Sequence, residues 1–198
     1  MYTDASFSRK RRLEECSDNS DIIGRLGFVL HDPEAWDGRL QRRGLTVYAD
    51  VVPSLEVIAT FSPDKKTYIS QLEALASLVV YSAEKTWRDA GIDLRGRTMN
   101  HFIDNTAALS AFVNGYSAST DMARMSNMLW LLVTGMRTRP YFEYVPSAAN
   151  IADLPSRGKY ELLERLGAHR VYAVPLIGPM DWNALLTDWI ERGRATRP

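Results

Sequence analysis

Cysteine is almost missing from this chain. Cys16 stands alone among 198 residues, so no internal disulfide can form, and a reducing intracellular compartment, cytoplasmic or nuclear, is the simpler setting. The histidines, at positions 31, 101 and 169, do not cluster, which leaves a soft Cys/His metal site without ligands. No apolar run approaches the roughly 18 residues that span a bilayer, so no membrane partner is expected. The polar, basic N-terminus lacks the apolar core of a signal peptide. Charge has no preferred sign: 24 Lys plus Arg face 24 Asp plus Glu, and no global field points to a nucleic acid. Internal repeats and low-complexity stretches are missing too, apart from the basic run Arg9-Lys10-Arg11-Arg12. What the chain has is apolar residues, 45% of the total, ample for the core of one domain with an appendage.

Periodicity organises the rest. Only three residues precede Asp4, short for an inner first strand, and residues 7–21 read as a flexible polar insertion. Residues 22–30 (IIGRLGFVL) are a strand whose two glycines allow close backbone approaches. Residues 31–44 read as a loop with turn signals at Asp32-Pro33 and Asp37-Gly38. Residues 46–52 form a strand closed by Pro53, and residues 55–61 extend or repeat it. Leu72, Leu75, Val79, Ala83 and Trp87 share one face of a helix over residues 69–90, with Ser70 as N-cap and Gly91 as its end. A strand over 98–103 leads to Asp104, and Thr106 caps a short helix stopped by Asn114-Gly115. Met122, Met125, Met128, Leu129, Leu132, Val133 and Met136 mark a second long helix, capped near Ser119 or Thr120, whose methionines are core. A strand over 141–145, a helix over 159–166, a strand over 171–174 and a helix from Asp181 complete the chain. Three leading strands in a meander followed by alternating elements imply a mixed sheet with helices packed on it.

Four acids stand out by context. Asp4 lies in YTDAS (residues 2–6), Glu73 in SQLEALA (70–76), Asp104 in HFIDNTAAL (101–109) and Asp153 in AANIADLPSR (148–157). Read singly, Glu73 completes a capping box with Ser70, and Asp153 is a helix N-cap. Read together, four carboxylates brought into one region repel one another, and a divalent cation resolves that repulsion.

The order of elements, with the four acids at these points in it, resembles the ribonuclease H fold. It is most similar to the RNase H domains attached to reverse transcriptases of long-terminal-repeat and tyrosine-recombinase retroelements. YTDAS matches the first-strand motif, SQLEALA the first-helix motif and FIDNTAAL the fourth-strand motif. VPSAANIADLPSR matches the terminal motif, in which an Asn precedes Ala-Asp and a Ser-Arg follows. The resemblance implies an α/β, ribonuclease H-like mixed five-stranded sheet flanked by helices, with a long insertion after the first strand. It assigns residues 1–166 to the domain and 167–198 to a C-terminal extension with a terminal helix.

For function, the resemblance implies an endoribonuclease that hydrolyses the RNA strand of RNA–DNA hybrids with two Mg²⁺ ions, Mn²⁺ substituting. Asp4, Glu73, Asp104 and Asp153 are the expected metal-holding and catalytic residues, with Asp4 bridging the ions. Hard cations prefer carboxylate oxygens, in keeping with a site free of Cys and His. Ser6, Asn105 and Arg157 are the expected nucleic-acid contacts, and the run at residues 9–12 adds either sequence-independent attraction or a solvated loop. A reverse transcriptase domain in a parent polyprotein is the expected partner. The family's mobile His before the last acid has no counterpart among residues 147–150. His31, His101, His169, Trp87 and Trp130 read as structural. An inactive module of the same fold, serving as scaffold or nucleic-acid contact, is the alternative. A proofreading exonuclease would need a second acid where Ser6 stands, and an integrase-like enzyme a helical Glu where Asp153 stands.

Overall fold

In the second strand Leu26, Phe28 and Leu30 alternate with Gly27 and Val29, and this period of two divides the molecule into two layers. Leu26, Phe28 and Leu30 enter the larger core with Ala5, Val47, Ala49 and Ile103, whereas Val29 joins a smaller one with Tyr48, Ala152 and Leu163. The computed structural model describes residues 1–9, 22–54, 57–58, 60–61, 68–172 and 174.

The strands are β1 (Tyr2–Arg9), β2 (Ile22–Asp37), β3 (Arg42–Val51), β4 (Thr98–Ile103), β5 (Arg139–Tyr144) and β6 (His169–Arg170). They form one sheet in the order β5-β4-β1-β2-β3-β6. β1, β2 and β3 make an antiparallel meander, while β4 runs parallel to β1 and β5 parallel to β4. Helices α1 (Ile69–Ser82), α2 (Glu84–Asp89), α3 (Thr106–Asn114) and α4 (Thr120–Gly135) supply the larger core. The short α5 (Asp153–Ser156) and α6 (Glu161–Arg165) belong to the other face. This is the ribonuclease H-like mixed sheet that the resemblance implies, with a sixth strand of two residues added beside β3.

Several elements differ from their sequence expectations, each for a physical reason. β1 begins at Tyr2, two residues ahead of its acid, as expected, but it does not end at Ser6: it runs on to Arg9, paired residue by residue with β2. The expected insertion therefore loses residues 7–9, and residues 10–21, with most of the basic run, lie outside the described residues. The turn signals at Asp32 and Asp37 both act, but within a long hairpin. Asp32 Oδ1 accepts the Glu34 and Ala35 amides at an irregularity inside β2, and Asp37 Oδ1 accepts those of Arg39 and Leu40 at the turn. Residues 57–58 are helical, with the Ile58 amide on the Ser54 carbonyl, so they do not extend β3. The helix over 69–90 is broken at Ala83, because the Trp87 indole donates at 2.7 Å to the Val80 carbonyl, the acceptor an unbroken helix would offer residue 84. β6 sits at His169–Arg170 instead of 171–174, and the helix expected from Asp181 lies outside the described residues. Met122, Met125 and Met128 are buried as expected, as are Trp87 and His101.

One glycine decides how the second layer docks. A Cβ built on Gly27 would lie 2.5 Å from both the Ala152 carbonyl oxygen and the Ser156 amide nitrogen, so α5 rests on bare β2 backbone. Gly27 pairs with Asp4, which places α5 beside that acid. Gly27→Ala must push backbone against backbone. It is expected to cost about 2 kcal/mol or more in denaturant unfolding, as overpacked cores do, and to expose α5 to faster amide exchange.

Candidate acidic site

Three elements deliver three acids to one point. Tyr2 of β1 pairs with Phe102 of the parallel β4, so Asp4 and Asp104, each two residues further on, reach the same level. Glu73 lies in α1, which packs on β1, and is buried. Carboxylate oxygens of Asp4, Glu73 and Asp104 lie within 4.8 Å of one another. Glu73 makes no capping box, and α1 has no side-chain cap at all. Its Oε1 instead accepts the Ala5 amide at 3.1 Å, tying α1 to β1 one residue from Asp4.

The electrostatic consequence is direct. Burial, opposed by the Ser156 hydrogen bond and reinforced by the charges of Asp104 and Asp153, pushes the Asp4 carboxyl up to about 7. Burial, followed by the charges of Asp4 and Asp104, raises Glu73 well above the ordinary range. Two oxygens of the cluster, Glu73 Oε2 and Asp104 Oδ1, are buried and accept no hydrogen bond among the described residues. A buried carboxylate oxygen left bare is costly, and an all-oxygen donor set of this kind suits a hard divalent cation such as Mg²⁺ or Mn²⁺. The residues present therefore fit a metal.

Asp153 is adjacent but engaged. It is the first residue of α5, and its Oδ1 accepts from Arg157 Nε at 2.5 Å. It belongs to no three-ligand group among the described residues, although its charge is felt at Asp4. Nor is it the N-cap, a place taken by Ala152.

The three expected contact residues divide. Ser6 Oγ donates to the Ser156 carbonyl at 2.5 Å, and so fastens α5 to β1. Asn105 is the N-cap of α3, accepting from the Ala107 and Ala108 amides, and it displaces Thr106 from that part. Arg157 pairs with Asp153 yet leaves over half of its side chain in solvent.

Two residues escaped any functional assignment from sequence, although both lie inside the terminal motif. The Ser156 hydroxyl donates to Asp4 Oδ2. Asn150, buried, donates from Nδ2 to the Thr3 carbonyl at 2.9 Å and accepts the Ala152 amide. Their letters were visible, but their partners lie some 150 residues away in sequence.

Among solved structures, the chain is similar to the crystal structure of RNase H1 from the halophilic archaeon Halobacterium salinarum NRC-1. The identity is 15% and the TM-score 0.45, over 79% of this chain and 96% of that one. No family model matches the chain, and no curated protein matches it.

The shifts of Asp4 and Glu73 set a pH dependence. Folding raises Asp4 from 3.8 to about 7, so its contribution to stability is complete below the unfolded value and is lost as pH rises through about 7. In EDTA the melting temperature is expected to fall by several degrees between about pH 5 and about pH 7.5. Mg²⁺ should restore much of that loss, and Glu73→Gln should flatten the slope. Differential scanning calorimetry across pH measures all three.

Proposed function

We propose that this chain is a divalent-cation-dependent endoribonuclease that cuts the RNA strand of RNA–DNA hybrids. The observation that carries the reading is the convergence of Asp4, Glu73 and Asp104 with two buried, bare oxygens among them. The four motifs and their order support the narrower part of it, a retroelement RNase H domain whose partner is a reverse transcriptase domain of the same polyprotein. The domain is taken as residues 1–166, followed by an extension over 167–198.

Asp4, Glu73 and Asp104 would hold the cations, with Asp153 joining them on the α5 side. Bound Mg²⁺ or Mn²⁺ supplies neutralisation of phosphoryl charge and a more acidic water. The chain's own residues prepare for this. The Ala5 amide fixes one Glu73 oxygen and leaves the other free. The Ser156 hydroxyl orients Asp4 by holding Oδ2. Asn150 and Ser6 keep α5 against β1, so that Asp153 stays on the same side as Asp4. Arg157, held by Asp153 through Nε and otherwise exposed, is the residue of the expected three best placed to meet a substrate phosphate. Ser6 and Asn105 serve the scaffold through the bonds they make here.

Labelled RNA–DNA hybrid, duplex RNA and single-stranded RNA, each incubated with the chain in Mg²⁺ or Mn²⁺ and then in EDTA, test the reading. Cleavage is expected only of the hybrid and only with metal, and Asp104→Asn should lower it by about two orders of magnitude or more. Equal cleavage of all three substrates would reject the selectivity, and tight metal-independent binding without cleavage would favour a scaffold. Asp104→Asn removes like-charge repulsion, so without metal it should melt no lower than wild type. A clear drop would count against the shared cluster.

A further inference from the structure

A buried chain of polar side chains draws on every element that carries one of the three clustered acids. Thr3 of β1 immediately precedes Asp4, Ser77 of α1 stands one helical turn after Glu73, and His101 of β4 stands three residues before Asp104. Tyr81, a further turn along α1, closes the row. All four side chains are fully or almost fully buried. Tyr81 Oη lies 3.0 Å from His101 Nδ1, His101 Nε2 lies 2.9 Å from Thr3 Oγ1, and Thr3 Oγ1 lies 3.1 Å from Ser77 Oγ. Ser77 Oγ then donates to the Glu73 carbonyl at 3.3 Å.

The hydrogen inventory gives this row one direction. Each hydroxyl has a single hydrogen, and a neutral imidazole has one N–H and one acceptor nitrogen. Ser77 spends its hydrogen on the Glu73 carbonyl, so it accepts from Thr3. Thr3 then accepts from Nε2–H, and Nδ1 accepts from Tyr81. Reversing the row would leave the Tyr81 hydrogen in an apolar interior with no acceptor among the described residues, at a cost of about 1–3 kcal/mol. Burial holds the imidazole well below its ordinary range, and therefore neutral.

We infer that the row Tyr81–His101–Thr3–Ser77, with His101 as its Nε2–H tautomer, is a positioning device for the acidic site. It clamps β1, α1 and β4 to one another through Thr3, Ser77 and His101, which stand one, four and three residues from Asp4, Glu73 and Asp104. Thr3 and His101 are the two nodes, because each bonds to both of the other elements. The device acts through the carboxylates and touches neither cation nor substrate. Groups that orient ligands from behind in this way typically govern about 10- to 100-fold in metal affinity or activity. The inference rests on the nuclease reading above.

Two measurements test it. In the wild-type chain, long-range ¹H–¹⁵N correlations of the imidazoles should show His101 as the Nε2–H tautomer; an Nδ1–H tautomer or an imidazolium would overturn the directed row. Thr3→Val keeps the shape and removes one of the two nodes. It is expected to weaken Mn²⁺ binding in calorimetry about tenfold and to lower kcat similarly, with KM for the hybrid little changed. Thr3→Ser should restore both to near wild type. Ser77→Ala, a smaller change, should move both in the same direction if Thr3→Val fails to fold. A folded Thr3→Val or Ser77→Ala protein with wild-type Mn²⁺ affinity would overturn the positioning role alone. A wild-type chain that binds no Mn²⁺ would overturn the nuclease reading and the positioning role with it, while the tautomer would still report on the row.

Discussion

Carboxylates whose oxygens come within 4.8 Å of one another repel, and burial strips away the water that would screen them. The rest of this structure answers to that repulsion. The Ala5 amide, the Ser156 hydroxyl and the Arg157 charge offset part of it, and two oxygens remain bare. Such an arrangement weakens the fold when it is ionised and unaccompanied, and protonation or a bound cation relieves it. That repulsion is concentrated at one point, among Asp4, Glu73 and Asp104.

Holding that point requires the sheet to be fixed from both faces. On one side α1 presents Glu73, and the buried row ties α1 to β1 and β4. On the other side α5 is a single helical turn of four residues, too short to persist by itself. Its stability comes from tertiary contacts: bare backbone at Gly27, the Asn150 bond to the Thr3 carbonyl, and the two serine bonds to β1. β1 is therefore gripped at Thr3, Asp4, Ala5 and Ser6 by groups from α1, β4 and the α5 region.

Much of this was legible from residue order. The helices at Ile69 and Thr120, the strand Thr98–Ile103 and the glycine stop at residue 115 follow from periodicity and capping chemistry, which are local. The two glycines of β2 pointed to a close backbone approach, and Gly27 makes one. Less legible were features whose cause is distant. Glu73 has the local signature of a capping box, yet the Ala5 amide from another element claims it. Asn105, beside an acid, is an expected nucleic-acid contact, while its side chain caps α3. Phe7, Ser8 and Arg9 carry no strong strand pattern and read as the start of a polar insertion, and pairing with β2 overrides that.

The sequence by itself determined which residue types stand where: an acid after a β-branched residue, an acid within an apolar helix, an acid at a strand end, and a terminal motif with Asn, Asp and Ser-Arg. Those are properties of short segments, set by side-chain chemistry and by periods of two and 3.6. Only the tertiary structure decided which oxygens meet, which are satisfied and which stay bare. Those outcomes depend on the parallel register of β1 with β4 and on a helix seated against a residue without a side chain. Neither can be read from one segment, because each is a distance between atoms that the backbone brings together only on folding.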